Sequence, residues 1–339
     1  MRHNLLALGW NNAFEDAAKK LDVTFIIGRV SRLDRGWSTI KVSASSQPDG
    51  LIRVRNIGAD VAVGDWVAVA PDHDRVEQVL PRYSALIRRA SSDAVRAEQH
   101  AVAANIDTVF IVHAATNEPN ERRVERELVL AFDSGAVPVL VLTKNDLLEA
   151  TEHIATLRNV ARVCGIACHV VSGLTGEGLD ELAKYGENHK SVAILGASGV
   201  GKSTLVNRLV GTTNQQVGEV REGDQRGRHT TVAADLVALP NGGWLIDTPG
   251  LRALNLWTSG HGIERAFADI FLLAEQCKFR DCKHQDEPNC AVIAAIGRDE
   301  LTIERLESMG RLVAEELALE DEQKVRVRMS NRKGMRKIN

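Results

Sequence analysis

Gly196-Ala-Ser-Gly-Val-Gly201-Lys202-Ser203 is the stretch on which the reading of this chain turns. It fits G-x-x-x-x-G-K-[ST], a loop whose backbone N–H groups turn inward around phosphate oxygens. Gly196, Gly199 and Gly201 stand where a side chain would obstruct the phosphates, and the backbone of Ala197, Ser198 and Val200 completes the cradle. Lys202 would reach the β- and γ-phosphates, and Ser203, with Thr204 beside it, would ligate magnesium. The apolar run Val192–Leu195 precedes the loop and a helix is expected after it, whose N-terminal end adds positive charge. The motif predicts a nucleoside triphosphate without naming the base.

Downstream, the apolar run Trp244-Leu-Ile246 ends in Asp247-Thr-Pro-Gly250, an acid for magnesium followed by a glycine whose backbone is available to the γ-phosphate. Between the two elements lies Gly227-Arg228-His229-Thr230-Thr231, in a polar stretch suited to a switch. Thr231 is the expected second magnesium ligand there, with Thr230 as its competitor. Leu251 follows Gly250, where many GTPases carry a water-orienting glutamine. Leucine cannot polarise water, so hydrolysis needs another group. His229 is the catalytic candidate, since a neutral imidazole can orient or deprotonate water near neutral pH.

The base reader lies upstream. Thr143-Lys144-Asn145-Asp146 follows the apolar run Val137–Leu142. The Asp146 carboxylate can accept from both N1–H and the 2-amino group of guanine, but would face an acceptor at adenine N1. Ser172-Gly173-Leu174, after His169-Val-Val171, reads as the companion loop whose backbone N–H groups contact guanine O6. In the common GTPase order the base reader follows the phosphate loop; here it precedes it. A circularly permuted GTPase core is therefore expected, a rearrangement that compact domains tolerate because their termini often lie close together.

The bulk of the chain agrees. Its 339 residues suffice for two or three domains. With a net charge of −3, attraction to nucleic acid must come from local patches. No apolar run approaches the roughly 20 residues of a membrane span, and the opening Met1–Trp10 does not read as a signal peptide. Five cysteines do not suggest a disulfide framework, so a reducing cytoplasm is the expected setting.

The pattern divides the chain into three. Residues 1–95 read as an amino-terminal extension and an OB-type β-barrel of about five short strands, among them Val23–Ile27, Ser38–Val42 and Trp66–Ala70, with an SH3-like barrel as the alternative. In residues 96–255 apolar strands alternate with helical segments, which implies a parallel α/β sheet with functional loops at the carboxyl ends of its strands. Val124, Leu128 and Phe132 mark one helix face there. Residues 256–339 read as helical, with Leu306, Met309, Val313 and Leu317 at helical spacing. They end in a basic tail, Lys324, Arg326, Arg328, Arg332, Lys333, Arg336 and Lys337, without an acid. That tail is the first expected RNA contact; Arg82, Arg88 and Arg89 beside the barrel are the second.

Cys277-x₄-Cys282-x-His284-x₅-Cys290 supplies three thiolates and an imidazole, a set that closes tetrahedral zinc with no position left for water and so predicts one structural Zn²⁺. Cys164 and Cys168, flanked by apolar residues, read as small core residues.

The permuted motif order, the Gly-Arg-His-Thr-Thr switch and the Cys-x₄-Cys-x-His-x₅-Cys site together resemble the small ribosomal subunit biogenesis GTPase family, ribosome small subunit-dependent GTPase A. The resemblance runs from Val63-Gly-Asp-Trp-Val67 to the basic tail. It implies an OB-fold, a permuted P-loop GTPase domain and a helical zinc-binding domain. It also implies a late role in maturing the small ribosomal subunit, binding to its rRNA, and GTP hydrolysis with Mg²⁺ that the subunit stimulates. His229 would then be the catalytic histidine, and Cys277, Cys282, His284 and Cys290 the zinc ligands. A cytoplasmic monomer without a membrane partner is expected. Thr143 departs from the asparagine of the general Asn-Lys-x-Asp element, which predicts a looser link between base loop and phosphate loop. Two other classes fit parts of the pattern: a metal-delivery P-loop NTPase, and a nonhydrolysing RNA-binding module that uses nucleotide for structure alone.

Overall fold

The computed structural model describes residues 2–34, 36–43, 50–89, 99–147, 151–211, 234–247 and 260–335. The amino-terminal strands are β1 (Ile26–Asp34), β2 (Trp37–Val42), β3 (Leu51–Arg55), β4 (Trp66–Val69) and β5 (Val76–Val79). β1 is central: it pairs with β2 and β4, which pair in turn with β3 and β5, all antiparallel. A parallel bridge, Arg55↔Arg75, brings the end of β3 to the start of β5. Alternate residues point inward, as the two-residue period of a strand requires. Val30, Ile40, Ile52, Val54, Val67 and Val76 form the resulting core.

β6 (Ala85–Arg89) and β7 (Gln99–Ala104) form a separate two-stranded ribbon. The chain then enters a parallel sheet made of β8 (Thr108–Ala114), β9 (Val137–Thr143), β10 (Ala167–Val170), β11 (Ser191–Gly196) and β13 (Trp244–Asp247), in the order β10-β9-β8-β11-β13. β12 (Asp235–Ala238) runs antiparallel on β13. Both faces are covered. Val109, Ile111, Leu140 and Leu142 pack with α2 (Glu121–Asp133) and α3 (Thr151–Val163), while Phe110, Val112, Val139 and Val141 pack with α4 (Leu179–Ala183) and α5 (Lys202–Val210). Successive strand residues thus go to opposite cores, which is why these strands read as unbroken apolar runs.

Arg32↔Asp235 joins β12 to β1, so the amino-terminal strands and the parallel sheet are hydrogen-bonded into one continuous sheet. Arg29 lies at the junction, 1% exposed. Its guanidinium donates to the carbonyls of Leu8, Gly64 and Asn105 and to the Ser191 hydroxyl, and burial lowers its pKa to about 10.

The first residues, for which the sequence offers no motif, have a definite place. Leu5, Trp10, Phe14 and Ala18, the last in α1 (Glu15–Lys19), pack against Trp66 and Leu80. The Ala7 carbonyl accepts from Trp244 Nε1 at the start of β13.

α6 (His261–Ala266), α7 (Ala268–Ala274), α8 (Ala291–Ile296) and α9 (Ile303–Met335) make up the carboxy-terminal part. Their apolar residues Ile263, Phe267, Ile270, Val292 and Leu312 belong to the cluster that holds α2 and α3 against the sheet, so the core continues across residue 255. Gly262 permits this approach. A Cβ there would lie 2.2 Å from the Val129 carbonyl, and its N–H donates to Asp133 at 2.7 Å. Arg305 of α9 pairs with Glu125 of α2 and Asp269 of α7, each at 2.7 Å.

One expectation about the basic patches changes. The backbone is helical through the tail to Met335. Arg82 is committed to Asp65, whose buried carboxylate takes Nε at 2.7 Å and Nη2 at 2.6 Å, and to the Asp60 carbonyl at 2.8 Å. A guanidinium satisfied in this way is a structural tie and not a phosphate contact. Arg88 remains exposed. No helix among the described residues is long and apolar enough to cross a membrane.

Candidate functional site: a nucleotide cleft and a Cys/His cluster

The phosphate loop leaves β11 at Gly196, whose φ is +148° and where a Cβ would lie 2.4 Å from the Val112 carbonyl of β8. Gly199 and Gly201 also have positive φ, +81° and +93°, so a side chain at either would be strained. α5 begins at Lys202 directly after this turn, and its first N–H groups and macrodipole face the loop. The Lys202 ammonium lies over the loop and donates to the carbonyls of Gly196 and Ala197. Burial lowers its pKa; the charges of Glu127 and Asp247 act in the opposite sense and that of Arg123 adds to the lowering. Ser198 and Val200 lie within the loop, while Ser203 and Thr204 stand exposed on the first turn of α5.

The base-reading segment leaves the carboxyl end of β9, two strands away, and Lys144 takes a left-handed conformation at φ +63°. Thr143 is buried, and its hydroxyl donates to the Val200 carbonyl inside the phosphate loop; the His113 carbonyl lies 3.2 Å away. The looser link expected from Thr143 is therefore absent, because the shorter side chain bonds directly to the loop. Asn145 N–H donates to the Val171 carbonyl at 3.3 Å. The buried Ser172 hydroxyl donates to Asp146 Oδ1 at 2.6 Å and accepts from the N–H groups of Leu174 and Thr175. One carboxylate oxygen is thus held from behind.

Gly173 lies against α5, where a Cβ would come 3.1 Å from Thr204 Cγ2. Arg208, from the last turn of α5, donates to the Gly173 and Leu174 carbonyls at 3.0 and 2.6 Å. Nothing in the spacing of the sequence marks Arg208, because its partners lie in another loop.

Asp247 ends β13, next to β11 in the sheet, and is in register with Asp235 of β12. Burial raises the Asp235 pKa; Arg32 opposes this, and the charges of Asp247 and Asp34 add to it. Hard oxygen donors from Ser203 and Asp247 suit magnesium. His229, Thr230, Thr231, Gly250 and Leu251 lie outside the described residues.

The fourfold cluster forms as the spacing predicts. The ligand atoms of Cys277, Cys282, His284 and Cys290 all lie within 4.8 Å of one another. Cys277 Sγ is 3.9 Å from Cys290 Sγ and 3.7 Å from His284 Nδ1, and Cys290 Sγ is 3.4 Å from that nitrogen. A tetrahedron with metal–sulfur bonds of about 2.3 Å has sulfur–sulfur edges of about 3.8 Å, so these residues fit a zinc ion. His284 reaches its position through a left-handed backbone at φ +58°. Cys290 caps α8, its Sγ accepting from Ile293 N–H at 3.5 Å. Cys164 and Cys168 are partly buried against the main core, away from this cluster.

The profile of the RsgA GTPase family matches residues 79–257, which span the base, phosphate and Asp247 loops together. The chain belongs to the RsgA GTPase family. A small ribosomal subunit biogenesis GTPase RsgA from Streptomyces coelicolor is 39% identical over 97% of this chain and 91% of its own length. One from Streptomyces avermitilis is 41% identical over 92% and 86%. Among solved structures, YjeQ from Thermotoga maritima superposes with a TM-score of 0.63 at 26% identity, covering 86% of this chain and 99% of its own. YloQ, a circularly permuted GTPase, gives 0.59 at 23% identity over 87% and 96%, a likeness of fold. The likeness supports a circularly permuted GTPase fold for this chain, and the enzyme class is GTP hydrolase.

Proposed function

We propose that this RsgA-family chain hydrolyses GTP as a switch in late maturation of the small ribosomal subunit, with rRNA as its docking partner. One observation carries the nucleotide part. The phosphate loop and both base-side loops converge at the carboxyl ends of β11, β9 and β10, and the Thr143 hydroxyl ties the first two together. Asp146 reads N1–H and the 2-amino group of guanine, with Gly173 N–H directed to O6. Lys202 and the loop amides hold the phosphates, Ser203, Thr231 and Asp247 would hold Mg²⁺, and the Gly250 backbone meets the γ-phosphate. Magnesium would supply charge neutralisation at the phosphates. His229 orients the attacking water, since Leu251 cannot.

The target follows from the curated relatives, which are named for small ribosomal subunit biogenesis, and a cytoplasmic setting is consistent with it. The three-part division at residues 95 and 255 remains our reading. The strand order of β1–β5 with its parallel Arg55↔Arg75 bridge supports an OB-type barrel for the first part. Donor chemistry and the 3.4–3.9 Å spacings support structural Zn²⁺ in the third. A closed site of four protein ligands makes a poor metal-transfer station, which sets the metal-delivery reading aside. The test is GTP turnover by the protein alone, with small subunits and with large subunits. Stimulation by small subunits alone is expected; equal rates in all three would overturn the reading.

A further inference from the structure

We infer that Arg208 is a positioning residue for guanine specificity, acting through the base-side loop it buttresses. The inference rests on the reading of Asp146 and Gly173 as guanine contacts. Between Ser172 and Thr175 the loop has few polar groups left uncommitted. The N–H groups of Leu174 and Thr175 go to the Ser172 hydroxyl at 3.2 and 3.1 Å. The carbonyls of Gly173 and Leu174 go to Arg208 Nε and Nη2 at 3.0 and 2.6 Å. Among the described residues none accepts from the Gly173 N–H, which leaves it as the donor for a base carbonyl.

Two consecutive carbonyls caught by one guanidinium fix the loop against rotation about its own axis. The planar fork of arginine reaches both, whereas a lysine ammonium reaches them only as a point donor. Arg208 also stands on the helix that begins with Lys202. Six residues separate the two, a rise of about 9 Å along α5. One rigid element therefore carries the phosphate grip at its start and the guanine-loop buttress near its end, with Gly173 pressed against Thr204 between them. The distance between phosphate and base is set by α5 itself.

The experiment compares GDP with its 6-thio analogue, which keeps N1–H but offers a weaker acceptor at position 6, by calorimetry on the full-length protein. The wild type should prefer GDP. In Arg208→Ala, GDP affinity should fall roughly tenfold, as for charge-assisted bonds lost at an exposed site, while the analogue loses much less. The preference at position 6 should collapse, and Arg208→Lys should recover part of it. Equal losses for both nucleotides, or an intact preference at position 6, would overturn the inference. Arg208 is exposed, so folding should survive; if Arg208→Ala melts early, Arg208→Met, which keeps most of the stem and removes the donors, gives the same readout. Asp146→Asn is the control for the underlying pocket: it should favour xanthosine over guanosine nucleotides. If it does not, the base-pocket reading itself fails, whatever Arg208 does.

Discussion

The Thr143 hydroxyl has one proton and two carbonyls near it, His113 and Val200, and the closer is inside the phosphate loop. That bond makes the base and phosphate loops one mechanical unit, as Ser172 does for Asp146 and its own loop. Both residues act by holding other groups in place, Thr143 the phosphate loop and Ser172 the Asp146 carboxylate. His229 belongs to the opposite class. If it orients water, His229→Ala should leave GTP affinity near wild type and lower subunit-stimulated turnover by about 10²–10⁴-fold, the usual range for general-base assistance. Single-turnover hydrolysis with bound small subunits measures this, and a normal stimulated rate would remove His229 from the chemistry.

At the scale of elements, the carboxy-terminal helices hold to the GTPase sheet through an apolar seam and a buried charge cluster. Arg305 is largely buried and satisfies Glu125 and Asp269 at once. Burial acts to lower its pKa, but the bonds and charge of Asp269 outweigh this and raise it. Arg305→Met would leave two carboxylates without their cation, at a cost of about 3–5 kcal/mol. A loss of unfolding free energy in urea of less than about a third of that would mean that the seam is apolar in its energetics. The Cys/His cluster lies in the next segment along. Cys282→Ser should lose stoichiometric zinc and open residues 277–290 to proteolysis, because metal-binding energy is folding energy in so small a site. Basal GTP hydrolysis should persist, since none of these ligands lies in the nucleotide loops. Full zinc content and unchanged protease resistance would refute the assignment.

For the whole molecule, the amino-terminal strands and the parallel sheet share hydrogen bonds through β1 and β12, and Arg29 ties both to the amino-terminal segment. That segment reaches Trp244, three residues before Asp247 on β13. The outer parts thus meet the strand that ends in Asp247 from one side and α2 from the other. The basic end of α9 is the expected RNA arm. Truncation after Glu322 should weaken binding to small subunits and flatten its salt dependence, because fewer counterions are released when fewer phosphates are neutralised. GTP affinity of the isolated protein should not change. Binding with wild-type affinity and salt slope would place the RNA contact elsewhere.

The nucleotide loops and the Cys/His cluster were legible in the residues alone, because each is a short run whose chemistry depends on local spacing. Gly196–Ser203 needs only its own backbone to cradle phosphate, and four soft ligands within one short segment need only that segment to meet. The strands β8, β9 and β11 were legible too, since burial on both faces leaves an unbroken apolar run. Thr143, Arg208 and Arg305 show where such reading stops. Each has partners in a distant part of the chain, and no periodicity records which carbonyl or carboxylate will come within 3 Å of it. Arg82 looked like a surface charge until folding set Asp65 beneath it. The residues before α1 carried no motif because their role is packing against Trp66 and bonding to Trp244. Local chemistry is a property of neighbours in the chain; buttressing, burial of charge and the joining of two sheets belong to neighbours in space.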